Sequence, residues 1–487
     1  MSQSVLKNIL AKGILNVFNI LVPFLVVPYV YRVLNPEIIG NIEYGATLYG
    51  YFGLLGALGI YHYGLREISR VRAEREKVRE IYKNLFVIGL ISNLASFVLY
   101  NLFVFFFIHD AVLKEIMYVT GLALVFQAIS TEWVNEAHEE FRFVTIKTVV
   151  IRSINVVLIF ALVRHAGDYM AYVWIVTLYW LFNYLVSLIY GQRFVRLPVR
   201  ELFRHLNMRK YIVPLCYILV LNNTIILYTA ADRTMLGAYC GPESVAYYTI
   251  GQKIIEIIKA LLLSVVFVTL PRLSYYLEDR REAYVEGVQK VMRLLMLIVF
   301  PVAVGMFMLS EDIVWLFAGD QYMEAVPALR IFSLRVIVVS VESILYNQII
   351  FLHRKEKVLV MLNLLCGGLN VVLNFVFLSR LNPVVAISTT LAVELLFQVL
   401  CLYYIKTRLQ MASGLFDVRN VKYVLGAVSC IPIILFCHYC IENRFLFLVV
   451  SVMASVLLYG TMLVVSKDEF YIELATRMKR RKAYGDK

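Results

Sequence analysis

No polar stretch of this 487-residue chain is long enough to fold as a soluble domain. The longest, near residues 64–83, 191–210 and 271–290, hold about twenty residues each, against a floor of roughly 50 residues for a domain. A Gly-rich loop ending in Gly-Lys-Ser/Thr is missing, which excludes ATP hydrolysis through a P-loop. The seven cysteines (Cys216, Cys240, Cys366, Cys401, Cys430, Cys437 and Cys440) are odd in number and fall mostly within apolar runs. No disulfide framework, metal site or cofactor is expected from them. The first apolar run lacks the small residues of a signal-peptide cleavage site and carries Pro23, Pro28 and bulky tyrosines instead, so it reads as a retained helix.

Hydrocarbon side chains are what the sequence has. Apolar types make up 61% of the residues and the mean hydropathy is +0.75, whereas ordinary soluble domains are roughly 45–50% apolar. A helix needs about 20 apolar residues to cross a hydrocarbon core of about 30 Å. Such runs recur near 13–33, 39–62, 84–108, 115–134, 143–163, 169–190, 211–231, 244–270, 291–309, 327–352, 358–378, 384–405, 421–441 and 445–466. The fold class is an all-α integral membrane protein with about 14 transmembrane helices.

Basic residues near span ends stay on the cytoplasmic side. Most of the 47 Lys and Arg collect in alternate loops. They include Lys7 and Lys12, the run from Arg66 to Lys83, Arg142 and Lys147, and the run from Arg193 to Lys210. The pattern continues with Arg272 to Arg293, Arg354 to Lys357, Lys406 to Lys422, and the tail from Lys467 to Lys487. The opposite loop from Ser310 to Val326 carries Glu311, Asp312, Asp320 and Glu324 and no basic residue. Both termini are therefore expected inside the cell, and the net charge of +13 needs no nucleic-acid partner.

An internal repeat is visible at an offset of 206 residues: Pro36, Glu37, Gly45 and Arg66 match Pro242, Glu243, Gly251 and Arg272. The simplest description is a six-helix lobe with its linker over 1–205, a repeated six-helix lobe over 206–410, and two further helices with a basic tail over 411–487. Parallel halves of this kind are a transporter architecture, with the site near the midplane.

Charges within lipid usually face a bundle interior or a water-filled cavity. Candidates for binding an anionic substrate are Arg32, Arg152, Lys253, Lys259 and Arg335, and candidates for coupling to an ion gradient are Glu43, Glu256, Glu342 and Glu394. Lys253, Glu256 and Lys259 fall at i, i+3 and i+6, on one helix face within about 60° of each other. That stripe reads either as a cavity wall or as a self-paired structural seam. Arg32 lies near an interface, where it can snorkel to headgroups. Asn370 and Asn374, at i and i+4, read as amides that join helices. Some of the 33 tyrosines face a cavity in this reading and stack on sugar rings.

Several motifs together carry a resemblance. Pro23, Pro28, Tyr29, Arg32, Leu34, Pro36, Glu37 and Gly40 open the chain. Glu132 and Trp133 precede Glu139, Phe141 and Arg142, with Ala137 where a Gly is usual. Asp232, Arg233, Met235, Leu236 and Gly237 lead to Tyr248, Gly251 and Lys253, then Pro271, Arg272 and Ser274, with Asn370 and Asn374 beyond. In order and spacing this resembles the polysaccharide transporter family, the O-antigen and capsule repeat-unit flippases of the multidrug, oligosaccharidyl-lipid and polysaccharide exporter superfamily. The resemblance implies two lobes around a partly cationic central cavity in the bacterial inner membrane. It also implies an undecaprenyl-pyrophosphate-linked glycan as substrate, and a polysaccharide polymerase and chain-length regulator as partners. Arg and Lys suit a pyrophosphate because they donate charge-assisted hydrogen bonds to its oxygens. The alternatives are a peptidoglycan-precursor flippase or drug exporter of the same superfamily, or a membrane-embedded polysaccharide polymerase. An enzyme would want a larger outer loop than this chain offers, so none is expected.

Overall fold

A computed structural model describes Phe18, residues 21–411 and 420–468, and Tyr471, with the backbone alone for Val199 and residues 220–229. The start of the first expected span, Lys7, Lys12, Arg419 and the basic tail beyond Tyr471 lie outside the described residues. Among the described residues all regular structure is helical. The first half runs α1 (Leu21–Val33), α2 (Pro36–Ala57), α3 (Ile60–Val71), α4 (Arg75–Phe107), α5 (Ala111–Gln127), α6 (Glu132–Ala137), α7 (Phe141–Leu162), α8 (Tyr169–Val195) and α9 (Val199–Leu202). Then come α10 (Arg209–Thr229), α11 (Ala231–Tyr239), α12 (Pro242–Asp279), α13 (Arg281–Met308), α14 (Ser310–Ala318), α15 (Val326–Ile344) and α16 (Glu356–Val376). The series ends with α17 (Pro383–Arg408), α18 (Val421–Val428), α19 (Cys430–Cys440) and α20 (Arg444–Val465).

Ten spans among the described residues are long and apolar enough to cross a membrane: α4, α5 joined to α6, α7, α8, α12, α13, α16, α17, α18 joined to α19, and α20. The other four stretches marked by hydropathy are helical as well, in α1, α2, α10 and α15. Helix starts follow from capping chemistry. The Asn35 side chain accepts from the Ile38 amide at 2.9 Å ahead of Pro36, and Asp110 and Asn443 cap α5 and α20 in the same way, at 2.7 and 3.0 Å. Each satisfies an amide that the helix itself leaves without a partner.

The expected span over 39–62 is broken. Leu58 and Gly59 both take left-handed backbone, with φ of 46° and 71°, so α2 ends and a separate amphipathic helix begins. Hydropathy averaging cannot register a two-residue break. A Cβ on Gly59 would also meet the backbone of α10, at Leu219 N and Leu215 O. Helix α3 buries Tyr63 and Ile68 and leaves Arg66 and Arg70 exposed.

The chain divides into two compact units. The first comprises residues 1–249 and 363–386. Its core joins Ile68, Tyr82, Leu85, Trp133 and Tyr211, with the Tyr82 and Trp133 rings 5.9 Å apart. Polar side chains inside it find backbone partners on neighbouring helices: Asn93 donates to Gly56 O at 3.0 Å, Tyr100 to Met117 O at 3.0 Å and Asn135 to Ser187 O at 3.0 Å. Without water to hydrogen-bond, such groups must be satisfied by protein, and they tie helices together.

The second unit comprises residues 250–362 and 387–487. Here α15 runs into a π-helical turn, Leu345–Ile350. Gln348 in that turn donates to Thr269 Oγ1 of α12 at 2.8 Å, and its carbonyl accepts from Tyr284 of α13 at 2.6 Å. Tyr459 of α20 donates to Leu297 O of α13 at 2.9 Å. Outward faces are apolar rather than polar: Phe105, Phe106 and Phe107 on α4 and Val465 on α20 are all exposed, as expected where the surrounding solvent is lipid.

Candidate functional site

In the first unit one deeply enclosed charge is Lys147 on α7. Its sequence context groups it with the cytoplasmic loop cations, and the structure corrects this: the side chain is only 1% exposed. A lone cation near the first turns of a span looks the same, on paper, as a flanking topology signal. Lys147 pairs with Glu132 of α6 and donates to Asn183 Oδ1 and Ser187 Oγ of α8, both at 2.7 Å. A buried ammonium needs this full set, because desolvation otherwise outweighs the attraction of one counter-ion. Farther along α7 sits the half-buried Arg152, within electrostatic range of Tyr179 on α8.

A second cluster of the first unit joins α2, α11, the start of α12 and the second half of α16. Buried Asp232 accepts from Tyr248 OH at 2.6 Å and from Asn374 Nδ2 at 2.7 Å. Next to it in sequence, Arg233 forms an ion pair with Glu43 at 3.7 Å, and Tyr51 hydroxyl contacts Thr234 at 3.1 Å. Asn374 thus joins two helices.

The second unit gathers four of the nine side chains singled out by sequence. Arg335 of α15 holds Glu394 of α17 in a fork, Nη2 to Oε1 at 2.6 Å and Nε to Oε2 at 2.8 Å. Both side chains are largely enclosed, 12% and 7% exposed. Glu342, two turns along α15, shares the electrostatic neighbourhood of Glu394, Arg335 and Lys259 of α12. Gln398, one turn beyond Glu394, donates to the Val338 carbonyl and fastens α17 to α15 again. The two remaining stripe residues lie on the same helix as Lys259: Lys253 is half-buried, and Glu256 is exposed and accepts from Gln252 at 3.2 Å. Arg32 is exposed at the end of α1.

A family model described as "Polysaccharide biosynthesis protein" matches residues 5–277, more than half of the chain. The chain belongs to that family. A second model, described as MatE, matches residues 218–376. A protein of Escherichia coli (strain K12) named "Putative O-antigen transporter" is 22% identical over 413 residues, covering 83% of this chain and 97% of the relative. One of the same name from Shigella dysenteriae is 24% identical over 362 residues, covering 72% and 88%. In fold, the chain is similar to a lipid II flippase, MurJ, in its inward closed conformation, with a TM-score of 0.73 at 13% identity over 96% of this chain and all of that one. It is also similar to an inward-facing multidrug resistance MATE transporter of the MOP superfamily, with a TM-score of 0.58 at 12% identity over 82% and 98%. This family member is a multi-pass protein of the bacterial inner membrane and a polysaccharide transporter of that superfamily.

Within it, sequence reasoning missed Lys147 and Glu132 as a pair and Asp232 as a buried acceptor. Their signal was present in the motifs Glu132-Trp133 and Asp232-Arg233, but no hydropathy window separates a buried charge at a span end from an exposed one.

Proposed function

We propose that this protein is a flippase that moves undecaprenyl-pyrophosphate-linked oligosaccharide repeat units across the inner membrane for O-antigen, capsule or exopolysaccharide assembly. The observation that carries the reading is the enclosed Arg335–Glu394 pair, with Glu342 and the exposed Lys259 in its electrostatic neighbourhood, a concentration of charge in the second unit of a membrane transporter. Charges held in apolar helices are expensive and mark substrate or ion pathways. The sugar head crosses through a cationic central cavity by alternating access, while the polyprenyl chain stays in hydrocarbon. Leu297, Pro301, Ile434, Val452 and Tyr459 of the second unit line an apolar cleft suited to such a chain.

In this reading the chain crosses the membrane fourteen times, as two six-helix lobes (1–205 and 206–410) and a terminal pair, with both ends in the cytoplasm. Arg32, Arg152, Lys253, Lys259 and Arg335 meet the anionic head, and Glu43, Glu256, Glu342 and Glu394 supply the coupling carboxylates. A polymerase and a chain-length regulator receive the product, and no bond is made or broken by the chain itself.

The test is sidedness. Proteoliposomes loaded with an undecaprenyl-linked repeat unit should expose the sugar to the far face when they contain the intact protein. The Arg152→Ala and Lys253→Ala variants, at equal abundance, should do so more slowly. If the intact protein lengthens or transfers the glycan without moving it, an enzymatic reading replaces this one.

A further inference from the structure

The charges of the second unit's cluster cancel. Arg335 and Lys259 supply two positive charges, and Glu342 and Glu394 supply two negative ones. A neutral cluster in a low-dielectric setting has no reason to accept a diphosphate, and the best donor in it is already engaged. Arg335 spends Nε and Nη2 on both oxygens of Glu394, in the planar two-bond geometry that guanidinium also forms with phosphate. Carboxylate and phosphate therefore compete for the same face of the same side chain.

We propose that Arg335 is a conditional anion-binding group, held by Glu394 while both are charged and handed to the substrate diphosphate when the Glu342 and Glu394 carboxylates take up a proton. The inference rests on the flippase reading above and adds its coupling step. Both carboxylates are placed for it. Glu342 lies seven positions after Arg335, within about 20° of it around a straight helix, so α15 presents a cation and an anion on one face toward Glu394. Among the described residues the charged and titratable groups around this pair include Lys259 from α12, Arg335 and Tyr346 from α15 and its π turn, and Glu342 and Glu394 themselves.

The proton comes from water and converts one carboxylate to a carboxyl. The cluster then carries one net positive charge, and Arg335 exchanges a carboxylate for a phosphate at little cost in hydrogen bonds. Loss of the proton restores the Glu394 fork and expels the anion. Proton uptake and substrate capture are thus the same event, without a separate coupling site.

The probe is inorganic pyrophosphate, titrated into the purified full-length protein in detergent at about pH 5.5 and about pH 8, with Glu394→Gln as the reference for the probe's own ionisation. Relative to that variant, the intact protein should bind about tenfold more tightly at the acid pH than at the alkaline one. At alkaline pH, Glu394→Gln should bind more tightly than the intact protein, and Arg335→Met should lose most of the affinity at both. Equal pH dependence in the intact protein and in Glu394→Gln overturns the proposal, as does the absence of pyrophosphate binding at either pH. If Glu394→Gln does not fold, sulfate, which carries the same charge at both pH values, replaces pyrophosphate, and binding by the intact protein that is as tight or tighter at alkaline than at acid pH overturns the proposal, since deprotonation closes the Glu394 fork. The sidedness assay separates the two readings: glycan transport with pH-flat pyrophosphate binding defeats this proposal alone, and absent transport defeats the flippase reading while the titration still decides this one.

Discussion

A buried cation is defined by what surrounds it, and Lys147 shows how far that departs from its sequence neighbourhood. Its ammonium meets Glu132, Asn183 and Ser187, three residues from two other helices. Removing one partner of such a pair leaves the other uncompensated, which typically costs about 3 kcal/mol or more. Lys147→Met should therefore lower the melting temperature of the purified protein in detergent, and Lys147→Met combined with Glu132→Leu should recover part of the loss. A double variant that melts no higher than the single one would show that the pair is not what stabilises these helices. The same contrast explains what the sequence can and cannot tell about the site. That Arg335 and Glu394 are charges in apolar runs is plain from the order of residues. That they hold each other is not, because the partner sits 59 residues away on a different helix.

Helices pack here through particular small contacts. Gly40 on α2 lies so close to the Pro242 carbonyl at the start of α12 that a Cβ would overlap it. Gly40→Ala must push these elements apart, and overpacking of this kind costs about 1–3 kcal/mol. The expected result is a lower melting temperature with unchanged helix content by circular dichroism. Helix α14 lies outside the candidate spans and offers a pH test. Burial raises the carboxyl of Asp312 above its ordinary range, against an opposing pull from Arg444. The fold therefore disfavours its ionised form, and that penalty is present at neutral pH and vanishes as pH falls below the unfolded value. Asp312→Asn should stabilise the protein near neutral pH, with the advantage shrinking toward pH 4; an advantage that grows on acidification would reverse the assignment. Element positions were legible from hydropathy because the described residues of all fourteen stretches fall in helices, but the left-handed break at Leu58 and Gly59 was not, since it depends on two backbone angles and on the approach of α10.

For the molecule as a whole, the charge asymmetry of the loops makes a direct statement about orientation. In a variant without the seven native cysteines, a single cysteine at Lys77 should react with an impermeant maleimide only from the cytoplasmic face, and one at Asp320 only from the outside. Labelling of both from the same face would reject the alternation. The family and the all-helical, membrane-spanning class were readable from sequence, because composition, hydropathy and motif order act over hundreds of residues. Charge pairing was not, because it is decided over a few ångströms.

The Lys147–Glu132 and Arg335–Glu394 pairs also differ in how soon they can form during synthesis. Glu132 and Lys147 are 15 residues apart, so they can enter the bilayer as one neutral hairpin. Arg335 and Glu394 are separated by the whole of α16. An arginine therefore reaches the insertion machinery well before its counter-ion exists, and α15 is expected to settle only once the ribosome has delivered α17. Chains halted between those two helices should be the ones that quality-control proteases remove.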